Sequence, residues 1–370
     1  MGLAYIVYLF SLYVLLMGAF SFRRFELSGK GKRSSMSALT VMSIAIVSLM
    51  MSLRYDVGTD WQNYNEIFDT FKLGSPSLSD ALAHSSSLEP LYSLLNYGVA
   101  SVGGSYQFLQ FVIMCLHLLL IFQSCRTIPK YTPLVIFFYF STLFFSSLNI
   151  HRQTLAICIF LFALHYLIEN KTRKYYLFSA IACLFHYSSV VILLVPFLKS
   201  KVFRLLDNKY VCLVLYVAGF FLGYLLVDMI VTYLPMITDN AKYNSTLEEL
   251  EHIHEYSSGL GLLFYKLLDI VIILNIPNFV KSGYGLYSRA FVIGAMLSNA
   301  FANSMFLSRA PLPLTSIKIY LLSFIIYSYW RSKEGSLRKC FAVFVLIFTF
   351  LGLLLNISNG NSGCSPFQFY

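Results

Sequence analysis

Apolar residues run along this chain in blocks about as long as one membrane crossing, separated by short polar breaks. Such blocks occupy residues 2–22, 36–53, 106–123, 131–148, 153–168, 210–233, 259–276, 286–303, 312–330 and 340–356, with an ambiguous eleventh at 175–198. Spanning a hydrocarbon core of about 30 Å takes roughly 20 helical residues. The pattern therefore predicts ten or eleven crossings in an all-α, polytopic integral membrane bundle, a single membrane domain over residues 1–370. The first block lacks a leading basic region and a small-residue cleavage site, and reads as the first span.

Two breaks are longer than the rest. In residues 54–105, Trp61, Tyr64, Phe68 and Phe71 recur at helical spacing, as one face of a helix lying on a bilayer surface would. Residues 90–103 form a second amphipathic stretch, too short and polar for a span, which reads as an interfacial or re-entrant helix ended by Gly103 and Gly104. The other long break, 234–258, carries Asp239, Glu248, Glu249, Glu251 and Glu255.

Charge orients these segments. Arg23, Arg24, Lys30, Lys32 and Arg33 share one loop, Lys171, Arg173 and Lys174 another, and Arg331, Lys333, Arg338 and Lys339 a third. Basic loops stay in the cytoplasm, so 54–105, the corner 149–152 and 234–258 are expected outside. The block 175–198 has basic residues on both flanks, with Lys199, Lys201, Arg204 and Lys209 following it. Either it is a plain span with one loop against the charge rule, or the chain breaks near 185–189 and both ends face the cytoplasm. Broken helices of that kind line polar cavities.

Composition narrows the function. With 58% hydrophobic and only 12% charged residues, no soluble domain of any size is left over. The formal charge of +10 falls in short clusters between spans, which excludes nucleic acid as the expected partner. Seven scattered cysteines have no metal or redox spacing, and His252 with His254 lacks a clear third ligand, so no metal is expected. Nucleotide-binding, hydrolase-elbow and zinc-protease motifs are absent from the sequence, and no cofactor is called for.

The remaining chemistry lies at the outer ends of spans. A single boundary arginine commonly snorkels to the headgroups. Arg54, Arg152 and Arg309 together suit a diphosphate, because guanidinium forks match phosphate oxygens. Asp60 either sits in a capping box begun by Thr59 or accepts a proton from an attacking hydroxyl, with Asp56 the competing carboxylate. His186, between Phe185 and Tyr187, is either a packing residue or a group facing a cavity. Lys266 and Asp269, three apart in one block, are expected to neutralise each other.

Arg54-Tyr55-Asp56-Val57-Gly58-Thr59-Asp60 with Tyr64, then Arg152-Gln153 with Ala156, then residues 182–189 around His186, and finally Arg309, resemble the EpsG-like family of Wzy-type bacterial polysaccharide polymerases. Ser189 stands where the family's segment has Ala. The resemblance implies a GT-C-like helical fold and glycosyl transfer at the periplasmic face of a bacterial inner membrane. A glycan on undecaprenyl diphosphate would be the donor, a hydroxyl of another lipid-linked repeat unit would attack, and undecaprenyl diphosphate would leave. By the same resemblance Arg54, Arg152 and Arg309 hold the diphosphate with Gln153 beside them. Asp60 or His186, with Asp56 in competition, orients the acceptor, and Trp61 and Tyr64 stack on sugar rings. Implied partners are the lipid-linked oligosaccharide, membrane lipid, a chain-length regulator and a flippase, for O-antigen or capsule alike. The alternatives are a lipid-linked oligosaccharide flippase, an O-antigen ligase or a non-catalytic scaffold.

Overall fold

The computed structural model describes residues 2–29, 36–74, 77–79, 88–237, 260–302, 304, 307–332 and 335–370. Among these residues the regular elements are helical, and a lone bridge pairs Arg54 with Phe369. The chain is an all-α polytopic membrane protein. Five described helices are long and apolar enough to cross a bilayer, namely Gly2–Leu27, Tyr106–Thr127, His151–Ile168, Leu307–Arg331 and Ser336–Ser358. A sixth span exists if Lys201–Asp207 and Lys209–Gly223, bent by 89°, count as one.

That is fewer than the apolar blocks, because several blocks are interrupted. The block at 131–148 divides at Leu143 into α6 (Thr132–Thr142) and α7 (Phe144–Asn149). Pro277 starts a new helix, Ile276–Lys281, just after Leu260–Leu274 ends, as a residue without an N–H does best in a first turn. In the ambiguous block, an α-helix runs over Thr172–Phe185, His186 is extended, and a 3₁₀ helix follows over Tyr187–Lys199.

The chain divides into two compact units, Met1–Ser189 with Ile326–Tyr370, and Val190–Ile325. In the first, α1 (Gly2–Leu27) packs on α2 (Ala38–Ser52), and α5 (Tyr106–Ser124) packs on both α2 and α8 (His151–Ile168). Helix α8 also lies along α9 (Thr172–Phe185) and is buried on almost every face, which a helix apolar all round requires. The two helices between the first spans, α3 (Trp61–Gly74) and α4 (Pro90–Ser101), pack on each other. The predicted face of α3 exists: Trp61, Tyr64, Phe68 and Phe71 are its buried residues. It meets protein, however, joining Tyr92, Val99, Tyr106, Leu109 and Ile113 in one cluster.

The segment 361–370 ties the loop after α2 to the corner before α8. Tyr55 N–H bonds Gln368 O at 3.0 Å, Gly58 N–H bonds Gly363 O at 2.9 Å, and Asn149 Nδ2 bonds Ser362 O at 2.7 Å. Gly58 has φ +111°, and a Cβ there would stand 2.7 Å from Asn149 Oδ1 and 3.0 Å from Leu148 O. Both the conformation and the space call for glycine. Thr59, the residue of the capping-box alternative, donates its hydroxyl to Asn149 Oδ1 at 3.3 Å and so ties the loop to the corner before α8.

The second unit is organised by buried polar groups. Lys318 Nζ lies 2.6 Å from Asp269 Oδ1, and Tyr216 OH donates to Asp269 Oδ2 at 3.4 Å. Lys266 donates to Asn299 Oδ1, and Asn299 Nδ2 donates to Tyr216 O at 2.9 Å. The expected Lys266–Asp269 pair is thus replaced, because a neighbouring helix offers Asp269 a closer cation. Arg289 forks Asp207, with Nε and Nη2 at 2.8 and 2.6 Å from the two carboxylate oxygens, beside the 89° bend. Residues 238–259, with their acids and His252 and His254, lie outside the described residues, as do Lys30, Lys32, Arg33 and Lys333.

Removing one member of a buried ion pair strands the other charge, at about 3–5 kcal/mol. Lys318→Met is expected to lower the melting temperature of the purified protein in detergent, and adding Asp269→Leu to recover most of the loss. An unchanged melting temperature in the single variant would show that the pair does not hold this unit.

Candidate functional site

Three helix ends in the first unit deliver one residue each to a common point. Glu89 occupies the position before α4, with extended dihedrals, and Pro90 fixes the helix start behind it. Arg152 is the second residue of α8. His186 ends α9, where φ −160° and ψ 114° turn the chain out of the helix. One Glu89 carboxylate oxygen accepts a hydrogen bond from Arg152 Nη1, and the other receives His186 Nδ1 at 2.8 Å.

Exposure differs in a telling way within this trio: the Glu89 side chain is 7% exposed, His186 16% and Arg152 24%. The carboxylate is closed off, while parts of the side chains it holds stay exposed, although Arg152 Nε and His186 Nε2 are themselves buried. Burial pushes the Glu89 carboxyl up, but the His186 hydrogen bond and the Arg152 charge outweigh it and hold the group down at about 2. Arg152 is further framed by the rings of Tyr64 and Tyr92, at 5.9 and 5.7 Å from their centroids.

Around the trio, several buried polar atoms have no partner among the described residues. These are Arg152 Nε, His186 Nε2 and the hydroxyls of Ser188 and Ser189. A buried donor or acceptor left unpaired costs about 1–3 kcal/mol, so a group of them makes a candidate place for a bound molecule or ordered water to complete. In the neutral ring, a proton on Nδ1 donated to Glu89 leaves the lone pair on Nε2. A carboxylate on one ring nitrogen and an unoccupied second nitrogen is the arrangement of an oriented base.

The other residues singled out in the sequence fall in different surroundings. Arg54 is 2% exposed, with Nη1 bonded to Met51 O at 3.3 Å and Nη2 to Leu148 O and His151 Nε2, both at 3.0 Å. It is closed off as a surface grip for phosphate because the segment 361–370 pairs across it. Instead it braces the corner that ends in Arg152. The His151 ring in turn stacks on Tyr64 at 4.6 Å, nearly parallel at 8°.

Trp61 and Tyr64, expected to face sugar rings, are buried in the aromatic cluster, since the apolar face of α3 turns inward. Asp56 is exposed in a left-handed conformation and accepts from Gln62 Nε2 at 3.0 Å. Asp60, half-buried, accepts the Tyr64 N–H on its carbonyl at 3.0 Å, and its charge acts on the Tyr64 ring hydroxyl. Gln153 is buried one residue beyond Arg152. Arg309 belongs to the second unit, at the end of the 3₁₀ turn Leu307–Arg309. Glu89 escaped sequence reasoning. Its one sequence signal is an acid directly before Pro90, at the start of the amphipathic stretch.

A family model described as the EpsG family matches residues 37–369, a range that contains every residue of this site. No curated protein and no solved structure matches the chain.

The depressed Glu89 value sets a pH dependence. A carboxyl at about 2 when folded and 4.5 ordinarily contributes stability that is complete above the higher value and is lost as pH falls through the lower. Wild type is expected to lose melting temperature relative to Glu89→Gln as the pH drops below about 4.5, and to show no such difference in slope between neutral pH and 5.5. Parallel acid limbs for the two proteins would remove the ion pair from the account.

Proposed function

On the premise that the chain belongs to the EpsG family, a Wzy-like polysaccharide polymerase family, we propose that it extends a surface polysaccharide from undecaprenyl-diphosphate-linked units at the periplasmic face of a bacterial inner membrane. The observation that carries this reading is the sharing of Glu89 between Arg152 and His186. It sets a cation suited to a diphosphate beside a histidine suited to a hydroxyl.

In the proposed reaction, Arg152, held by Glu89 and the Tyr64 hydroxyl, offers the rest of its guanidinium to the diphosphate of the donor. The hydroxyl of the acceptor unit donates to His186 Nε2. As its oxygen bonds the anomeric carbon of the donor, the proton passes to Nε2 and the carbon–oxygen bond to the diphosphate breaks. The electron pair leaves on the diphosphate oxygen, where Arg152 stabilises the developing charge. Glu89 steadies the imidazolium until its proton returns to solvent. The donor is already activated, so the reaction draws on no other energy source. Arg54 acts at one remove, by holding the 148–151 corner that presents Arg152.

Surface polysaccharide from a deletion strain complemented with single variants tests the proposal. Arg152→Ala is expected to abolish the long-chain ladder and leave one repeat unit attached, a loss of about 10²–10³ in rate. His186→Ala is expected to cut extension by about 10²–10⁴. A full ladder from Arg152→Ala, with the protein at its normal level in the membrane, would overturn the assignment.

A further inference from the structure

With Trp61 and Tyr64 buried, the aromatic surface that faces outward among the described residues of this region includes two tyrosine rings packed on each other, beside the exposed Phe369 and Phe108. Tyr55 is 44% exposed and Tyr370 62% exposed. Their centroids lie 4.7 Å apart at 79°, and Trp61 backs them at 5.2 and 6.2 Å. Neither ring is loosely held, because the Tyr55 N–H bonds Gln368 O and the Tyr370 N–H bonds Leu53 O, both at 3.0 Å. The pair is a preformed aromatic corner, and preorganised contacts lose little entropy on binding.

Its border is polar in a particular way. Asp56 and Gln62 are exposed and hydrogen-bonded to each other at 3.0 Å on the Tyr55 side. Gln107 bonds the Tyr370 hydroxyl, and the exposed Asp69 is close enough to act on it by charge. Beneath the rings, the Trp61 Nε1–H is buried with no acceptor among the described residues. Aromatic faces flanked by planar amides and carboxylates match a sugar ring, with C–H groups on its faces and hydroxyls around its edge. An aromatic belt seated in lipid would instead be bordered by the lysines and arginines that attract anionic headgroups.

The geometry points to a glycan-binding platform of Tyr55 and Tyr370, bordered by Asp56, Gln62, Asp69 and Gln107, which holds uncharged sugars of the polysaccharide beside the polymerisation site. The carboxylates on its border repel uronic acids and select neutral or N-acetylated residues. This inference rests on the polymerase reading. It adds a site that grips product and favours further rounds of extension.

The test pairs Tyr55→Leu and Tyr370→Leu with the ring-preserving Tyr55→Phe and Tyr370→Phe. The probe is polysaccharide released from its lipid by mild acid from wild-type cells, titrated onto the purified protein in detergent and followed by saturation-transfer NMR. Each Leu variant is expected to weaken binding by roughly 2–10-fold, as loss of an aromatic contact of about 0.5–1.5 kcal/mol implies. It should also shift the ladder to shorter chains, while the Phe variants keep both. Unchanged binding and ladder in the Leu variants, with Arg152→Ala still inactive, would overturn the platform and leave the polymerase reading standing. Loss of binding to anionic-lipid nanodiscs without loss of glycan binding would make the rings lipid anchors and overturn it as well. A full ladder from Arg152→Ala removes the polymerase reading beneath both.

Discussion

One carboxylate, that of Glu89, is shared by a guanidinium and an imidazole delivered from two other helix ends, and the arrangement of the first unit follows from keeping it there. A carboxylate taken out of water is tolerated only when it is paired and hydrogen-bonded. Glu89 meets this condition with one oxygen for each partner. Its two contacts in turn determine which nitrogen of His186 faces it and which part of Arg152 it leaves unbonded. The proposed chemistry therefore rests on the same group that the packing of the first unit encloses.

The supports around this group answer the same problem of burying polar chemistry in an apolar protein. Arg54, although a full charge, spends its donors on two backbone carbonyls and His151, and so converts burial into rigidity at the corner before α8. Gly58 lets the loop come within reach of that corner, and the segment 361–370 seals it with main-chain bonds. In the second unit, Lys318, Asp269, Tyr216, Lys266 and Asn299 satisfy one another across separate helices. Buried polar networks of this kind specify which helices meet, where apolar contact alone is permissive.

Much of this architecture is legible in the order of residues alone. Block length marks the membrane class, the Trp61–Tyr64–Phe68–Phe71 spacing marks one face of α3, and His186 marks the point where a helix stops. What stays hidden depends on contacts between distant segments. Glu89 is an isolated acid in a polar stretch, and it acquires meaning only when Arg152 and His186 arrive, 63 and 97 residues away in the chain. Arg54 reads as a surface residue because the strand-like segment that covers it lies at the far end of the sequence. For Asp269, local spacing favours Lys266, while packing supplies Lys318. Periodicity reports which face is buried, but carries no information on whether lipid, sugar or protein covers it. For this reason Trp61 and Tyr64 turn inward while Tyr55 and Tyr370 are among the rings that face outward.

The central claim is that Glu89 orients the groups that carry out polymerisation. It is tested most directly by the turnover of purified protein on lipid-linked repeat units, comparing wild type with Glu89→Gln at saturating substrate. Glutamine keeps the shape and loses the charge that steadies imidazolium and guanidinium together. The account predicts a fall in kcat of about 10²–10³ with little change in KM. Turnover equal to wild type would contradict it.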